Sequence, residues 1–242
     1  MISQIFSMLG HFLNSFGDTK GSAWKYMIYS GLIAVALLTI MVFGIWKLSA
    51  IGGAWIASLI PWQWAHETVL FSFVIGIAFG LLCWIVMKYI MLIMMSPLLS
   101  LVSEKLEQKI KGVPVKSRFN VAGSLARTIR VNSRNLLREV VFSVFLLLAS
   151  LIPVLNVFAI ALLFLLQAYF VGFGIMDYYL ERHYTYRETV TKVYQHKWAA
   201  ITLGAIFIGM ILIPVIGAVM ASYFTTVAAT RYFSVIESEQ TA

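Results

Sequence analysis

Leu151-Ile152-Pro153-Val154-Leu155-Asn156 and Leu212-Ile213-Pro214-Val215-Ile216-Gly217 interrupt two apolar stretches in the same way. The first stretch runs from Val140 to Met176 and the second from Ala199 to Tyr232. A proline inside a helix removes a backbone donor and collides with the preceding turn, so each run is expected to fold back or kink at Pro153 and Pro214. At about 1.5 Å per residue the limbs before these prolines reach roughly 20–23 Å. The hydrocarbon core of a bilayer is roughly 30 Å thick. Two hairpins dipping partway into a membrane are therefore expected, as in proteins that move a solute or shape the bilayer.

Hydrophobic residues make up 61% of the 242-residue chain and charged residues 12%. That charged fraction is about half of what soluble proteins carry. With several apolar runs of membrane length, the chain reads as an all-α integral membrane protein of one domain. Its net charge of +8 is concentrated, because ten of the 18 Lys and Arg residues fall between Lys88 and Arg138. A basic loop between apolar spans follows the positive-inside rule and argues against a nucleic-acid partner. The lone Cys83 excludes an intramolecular disulfide and reads as a packing residue. The N-terminus lacks the pattern of a cleaved signal peptide.

Residues 1–25 place Ile2, Ile5, Phe6, Leu9, Phe12, Leu13 and Phe16 at helical spacing, the pattern of an amphipathic helix in the membrane interface. Residues 26–46 form the first expected span. Trp55, Trp62 and Trp64 mark an interfacial belt outside the bilayer. Residues 68–95 form the second span, with Lys88 placed to snorkel and Ser96-Pro97 to bend the helix. Residues 96–138 are a basic region: Glu104, Lys105, Glu107, Lys109 and Lys111 indicate solvent, Pro114 a loop, and a basic helix follows. Residues 139–176 and 199–232 are the hairpins. The charge bias puts the basic region and all hairpin feet in the cytoplasm and both Pro tips outward. Six complete spans would satisfy the same charges, and the short limbs favour partial insertion.

No catalytic constellation is visible. His11, His66, His183 and His196 lack a metal-ligand spacing and read as residues in aqueous contact. Neither a nucleophile elbow nor a phosphate-binding loop occurs. No carboxylate sits inside the apolar core of a span, which weakens an ion-coupled pump. The chain therefore does not read as an enzyme, and it calls for no metal or cofactor.

Arg127, Arg130, Arg134 and Arg138 follow spacings of three, four and four, which stacks them on one helix face. One reading lays that face on anionic lipid headgroups. The other makes it an electropositive vestibule for an oxyanion, which the planar guanidinium fork suits. Asn156, Gln167, Thr202, Thr225 and Thr226 are neutral polar groups within the hairpins. They fit a pore lining or helix–helix hydrogen bonding. Gly172, Gly174, Gly204, Gly209 and Gly217 suit close helix packing.

Ser96-Pro97-Leu98-Leu99-Ser100-Leu101-Val102-Ser103-Glu104-Lys105-Leu106-Glu107 resembles the segment after the second span in the CysZ family of bacterial inner-membrane sulfate permeases, relatives of the etoposide-induced eukaryotic membrane proteins. The likeness continues through Arg138-Glu139, Ile152-Pro153, the Met-Asp-Tyr-Tyr run at 176–179 and Ala228-Ala229-Thr230, covering roughly residues 26–233. The resemblance implies two long transmembrane helices plus two partially inserted hairpins, assembled as a homo-oligomer. It further implies passive inward passage of sulfate for cysteine synthesis. Family members carry a Gly-Leu-Arg element ahead of the first span that is associated with sulfate binding. Here that region reads Phe16-Gly17-Asp18-Thr19-Lys20-Gly21, so Lys20 or Lys25 is the expected source of charge, without the forked geometry of arginine.

The reading is thus an anion permease or channel with sulfate as the leading solute. Lys20, Lys25, Arg127, Arg130, Arg134 and Arg138 are the expected anion-binding residues. A membrane scaffold or lipid-interacting protein of the same fold is the alternative.

Overall fold

The computed structural model describes residues 1–18, 69–112, 121–213 and 216–241, and scattered positions between 25 and 44. Seven numbered helices follow: α1 (Ile2–Asp18), α2 (Val69–Lys111), α3 (Val121–Ser150), α4 (Pro153–His183), α5 (Tyr186–Gln195), α6 (Lys197–Ile211) and α7 (Ile216–Thr241). No strand occurs among the described residues. Those described between 25 and 44 are helical, and Gly31–Gly44 is apolar. Lys20, Trp55, Trp62, Trp64, His66, Pro114 and Pro214 lie outside the described residues, as does the side chain of Cys83.

Pro153 opens α4 at its first turn, where the missing amide hydrogen costs nothing. Ile152 before it is extended, as a residue preceding proline must be (φ −87°, ψ 117°). The Leu151 and Ile152 amides donate to the carbonyls of Leu148 and Ala149, closing α3 in a tight final turn. Helices α3 and α4 then pack against each other. Helices α6 and α7 pack together in the same way after the Leu212 and Ile213 amides close α6 on Ile208 and Met210.

Two helices run further than expected. Helix α2 passes through Pro97 and ends at Lys111, 43 residues in all, or about 64 Å. Helix α3 is continuous across the expected boundary at 138/139, so the basic face and the apolar limb are one rod. Helical periodicity carries through both points, because neither the change from charged to apolar residues nor a single proline outweighs the packing on both sides. Helix α4 and the Lys88–Lys111 part of α2 are long and apolar enough to cross a membrane.

Burial is uneven in a way that fits a bilayer. The C-terminal halves of α2, α4 and α7 converge in a core built from Tyr89, Leu99, Phe173, Tyr178, Tyr179, Tyr232 and Phe233. Around the α3–α4 turn the apolar side chains point outward instead: Phe145, Leu151, Val154 and Phe158 are 65%, 66%, 77% and 67% exposed. An apolar surface this extensive is stable in lipid and not in water. Helix α1 docks on α6 and α7 through Met8 and Phe12, while Ile2, Phe6 and Leu13 stay exposed on another face.

The joint between the two hairpins is made by main chain. A Cβ on Gly172 of α4 would fall on the Ala200 carbonyl of α6, and one on Gly204 of α6 on the Ala168 carbonyl of α4. Ala168 and Gly172 are four apart, as are Ala200 and Gly204. Each helix thus presents a small-xxx-small face to the other, the device that brings helix backbones together in membranes. Gly217 meets the Met210 carbonyl at the second turn, and Gly174 faces Leu92 and Asn132. Among the described residues, nothing lies within 4 Å of a Cβ placed on Gly209.

Candidate functional site

Polar side chains are buried on helical faces that the sequence reading did not single out. On α2 they are Ser96, Ser100, Ser103 and Glu107, on α7 Ser222, Thr226, Thr230 and Ser234, and on α3 Thr128, Asn132, Asn135, Glu139 and Ser143. Steps of three and four keep each set on one face. Ser103 and Thr230 share a hydrogen bond of 2.7 Å that joins α2 to α7.

Three ionic groups link α2, α3 and α4. In the first, Lys88 Nζ lies 2.5 Å from Glu139 Oε1, and the Tyr89 hydroxyl donates to Oε2 at 2.7 Å. Both charged residues are buried, so Lys88 pairs inward rather than snorkelling. In the second, Arg127 donates to the Tyr184 carbonyl (2.5 Å), to Thr189 Oγ1 (2.7 Å) and to Asp177 Oδ1 (3.3 Å). The third surrounds Glu107, which accepts from Lys111 (2.7 Å), His183 (2.8 Å) and Arg182 (3.2 Å). Glu107 was expected in solvent and is instead fully buried, because Lys111, Arg182 and His183, from two helices, converge on it.

Neighbouring bonds extend the third group. Arg182 also donates to Ser103 Oγ at 2.7 Å, and Glu181 accepts from the hydroxyls of Ser100 and Ser124. The Tyr184 hydroxyl donates to Glu237 at 2.9 Å. Burial, reinforced by that carboxylate, pushes the Tyr184 phenol up to about 12, so it remains a donor at neutral pH.

The described histidines have protein partners, and His183 is also exposed. His11 packs edge-on against Tyr232, His183 binds Glu107, and His196 Nδ1 lies 2.9 Å from the Tyr232 hydroxyl. Burial, with Lys192 nearby, holds the His196 imidazole below its ordinary value. No cluster of three metal-ligating side chains occurs among the described residues.

The nominated arginines divide into two kinds. Arg127 is committed to its ionic group, while Arg130 and Arg138 are exposed on the outer side of α3. Arg130 lies over the Tyr186 ring at 5.1 Å, and Arg134 over the rings of Phe173 (5.1 Å) and Tyr186 (5.6 Å). Lys25 is exposed on its helix. Asn156 is exposed near the α3–α4 turn and Gln167 half-buried on α4. Thr225 and Thr226 are buried and bond back to the carbonyls of Ala221 and Ser222 on their own helix. Thr202 does the same toward Trp198.

A protein-family model described as Sulfate transporter CysZ/Etoposide-induced protein 2.4 matches residues 11–221. The chain belongs to this family. No curated protein matches it. For a member of the CysZ/etoposide-induced family, whose description is that of a transporter, a polar interior within an apolar bundle is the feature to explain. On α3, Thr128 Oγ1, Asn132 Oδ1, Asn135 Nδ2 and Ser143 Oγ are buried without a protein partner among the described residues. Such atoms are costly to leave unmatched.

Proposed function

We propose that the protein is an anion permease of the bacterial inner membrane that passes sulfate inward for sulfur assimilation. The observation that carries this reading is the buried α3 face, whose unspent hydroxyl and amide groups lie inside the helical bundle of a member of a sulfate-transporter family. Neutral donors and acceptors match a hydrated oxyanion without holding it as tightly as a fixed charge would. Lys20, Lys25, Arg130, Arg134 and Arg138 add a positive field that raises anion concentration near the protein, and Arg127 contributes charge from within its ionic group. The basic region faces the cytoplasm by the positive-inside rule, the α3–α4 and α6–α7 turns point away from it, and a homo-oligomer encloses the path.

Radiolabelled sulfate uptake into liposomes holding the purified protein tests this reading. Protein-dependent, saturable uptake that sulfite competes away is expected, and Asn135→Leu should lower it severalfold. Uptake no greater than in empty liposomes, from folded and inserted protein, would overturn it.

A further inference from the structure

Helix α3 carries its arginines and its outward apolar side chains on one line. Arg134, Arg138, Val141, Phe145 and Leu148 follow at spacings of four, three, four and three, which is a single helix face. Val141, Phe145 and Leu148 are 52%, 65% and 59% exposed and lie along the limb that ends at the α3–α4 turn. The arginines therefore stand where an outward apolar stripe gives way to charge.

Aromatic and basic side chains also meet on α4, α5 and α6. Tyr169 of α4 packs edge-on against Phe173 (6.3 Å), the ring over which Arg134 lies. Tyr186 of α5 stacks under Arg130 and Arg134. Lys197, at the start of α6, lies over the rings of Tyr194 (5.1 Å) and Trp198 (6.0 Å). Tyr and Trp beside Lys and Arg is the composition of a membrane interface. Among the described residues, Arg134 makes one hydrogen bond, from Nη2 to Asn135 Oδ1 at 3.0 Å, and its Nε is buried without a partner. Arg138 is exposed.

We propose that Arg134 and Arg138, beside Tyr186, form a binding site for the phosphodiester headgroup of an anionic phospholipid whose acyl chain lies along Val141, Phe145 and Leu148. Paired guanidinium donors suit phosphate oxygens, and the continuous apolar stripe selects a phosphate that carries a chain over one free in water. A phosphodiester brings one negative charge to two guanidinium groups, so the occupied site remains electropositive. The site does not depend on the protein transporting anything.

Native mass spectrometry of the full-length protein, titrated with phosphatidylglycerol or phosphatidylcholine, tests the site. Wild type should retain phosphatidylglycerol at least tenfold more strongly than phosphatidylcholine. Arg134→Gln/Arg138→Gln should remove that preference, and Arg187→Gln, an exposed cation on α5, should keep it. If the double variant does not fold, Arg138→Gln alone, at an exposed position, carries the comparison. Equal retention by wild type and variant would overturn the proposal. So would displacement of the lipid by millimolar inorganic phosphate or sulfate, which would make this a site for free oxyanions.

Discussion

Lys88 and Glu139 show how much a single pair depends on both members. Each is buried, and each leaves an uncompensated charge in an apolar setting if the other is removed. Breaking such a pair costs about 3–5 kcal/mol, whereas replacing both members with apolar residues is often neutral. Lys88→Met and Glu139→Leu should each destabilise the purified protein by that amount in denaturant or thermal melts, and the double variant should recover most of the loss. Additive losses would show that the pair is not the source. His196 gives a residue-scale pH response. The Tyr232 hydroxyl faces Nδ1 of the neutral ring, and burial keeps the folded-state value below the unfolded one. On acidification the unfolded chain takes up this proton first, so stability is complete above about pH 6.5 and falls below it. Melting temperature between pH 8 and pH 5 should drop more steeply in wild type than in His196→Gln; parallel curves would rule the residue out.

At the scale of elements, the crossing of α4 and α6 is set by backbone contact. Gly172→Ala has no flexible side chain to push aside, since the obstacle is the Ala200 carbonyl. Overpacking of this kind costs about 1–3 kcal/mol. Gly209→Ala, whose new Cβ meets none of the described residues, should be neutral or gain up to about 1 kcal/mol from helix propensity. Equal melting temperatures for the two variants would place the helices farther apart than described. The start of α4 was legible because proline acts locally: Pro153 dictates an extended Ile152 whatever surrounds it. The buried state of Glu107 was not legible, because Arg182 and His183 lie about 75 positions away and nothing local predicts their approach. A signal did exist: Ser96, Ser100, Ser103 and Glu107 share one face of α2, which a solvent-facing reading of the charges passed over. The arginine face of α3 was visible as a stripe, but its division into a committed Arg127 and outward Arg130 and Arg138 depends on where α4 and α5 lie.

For the whole molecule, the question is how deeply the α3–α4 turn enters the bilayer. In a Cys83→Ser background, a cysteine at Leu155 should resist membrane-impermeant thiol reagents from both sides if the hairpin ends within lipid. A cysteine at Lys192, between the hairpins, should react from the cytoplasmic side. Labelling of Leu155→Cys from outside would establish complete spans instead. The membrane class and helical fold were readable from composition and the length of the apolar runs, because a bilayer leaves few ways to satisfy a backbone. The solute was not, since neutral polar groups along a helix have no signature comparable to a ligand motif.

The main-chain joint between α4 and α6 also constrains the order of assembly. Carbonyls of Ala168 and Ala200 meet glycines that belong to different hairpins, and α6 is synthesised only after α4 and α5. The first hairpin must therefore wait in the membrane with its docking face unfilled until the second arrives. During that interval, the small residues that make the finished joint tight leave a shallow groove open to lipid or to a neighbouring chain. A slow ribosome over residues 186–204 would lengthen that exposure, so the pace of translation becomes part of how faithfully this fold is made.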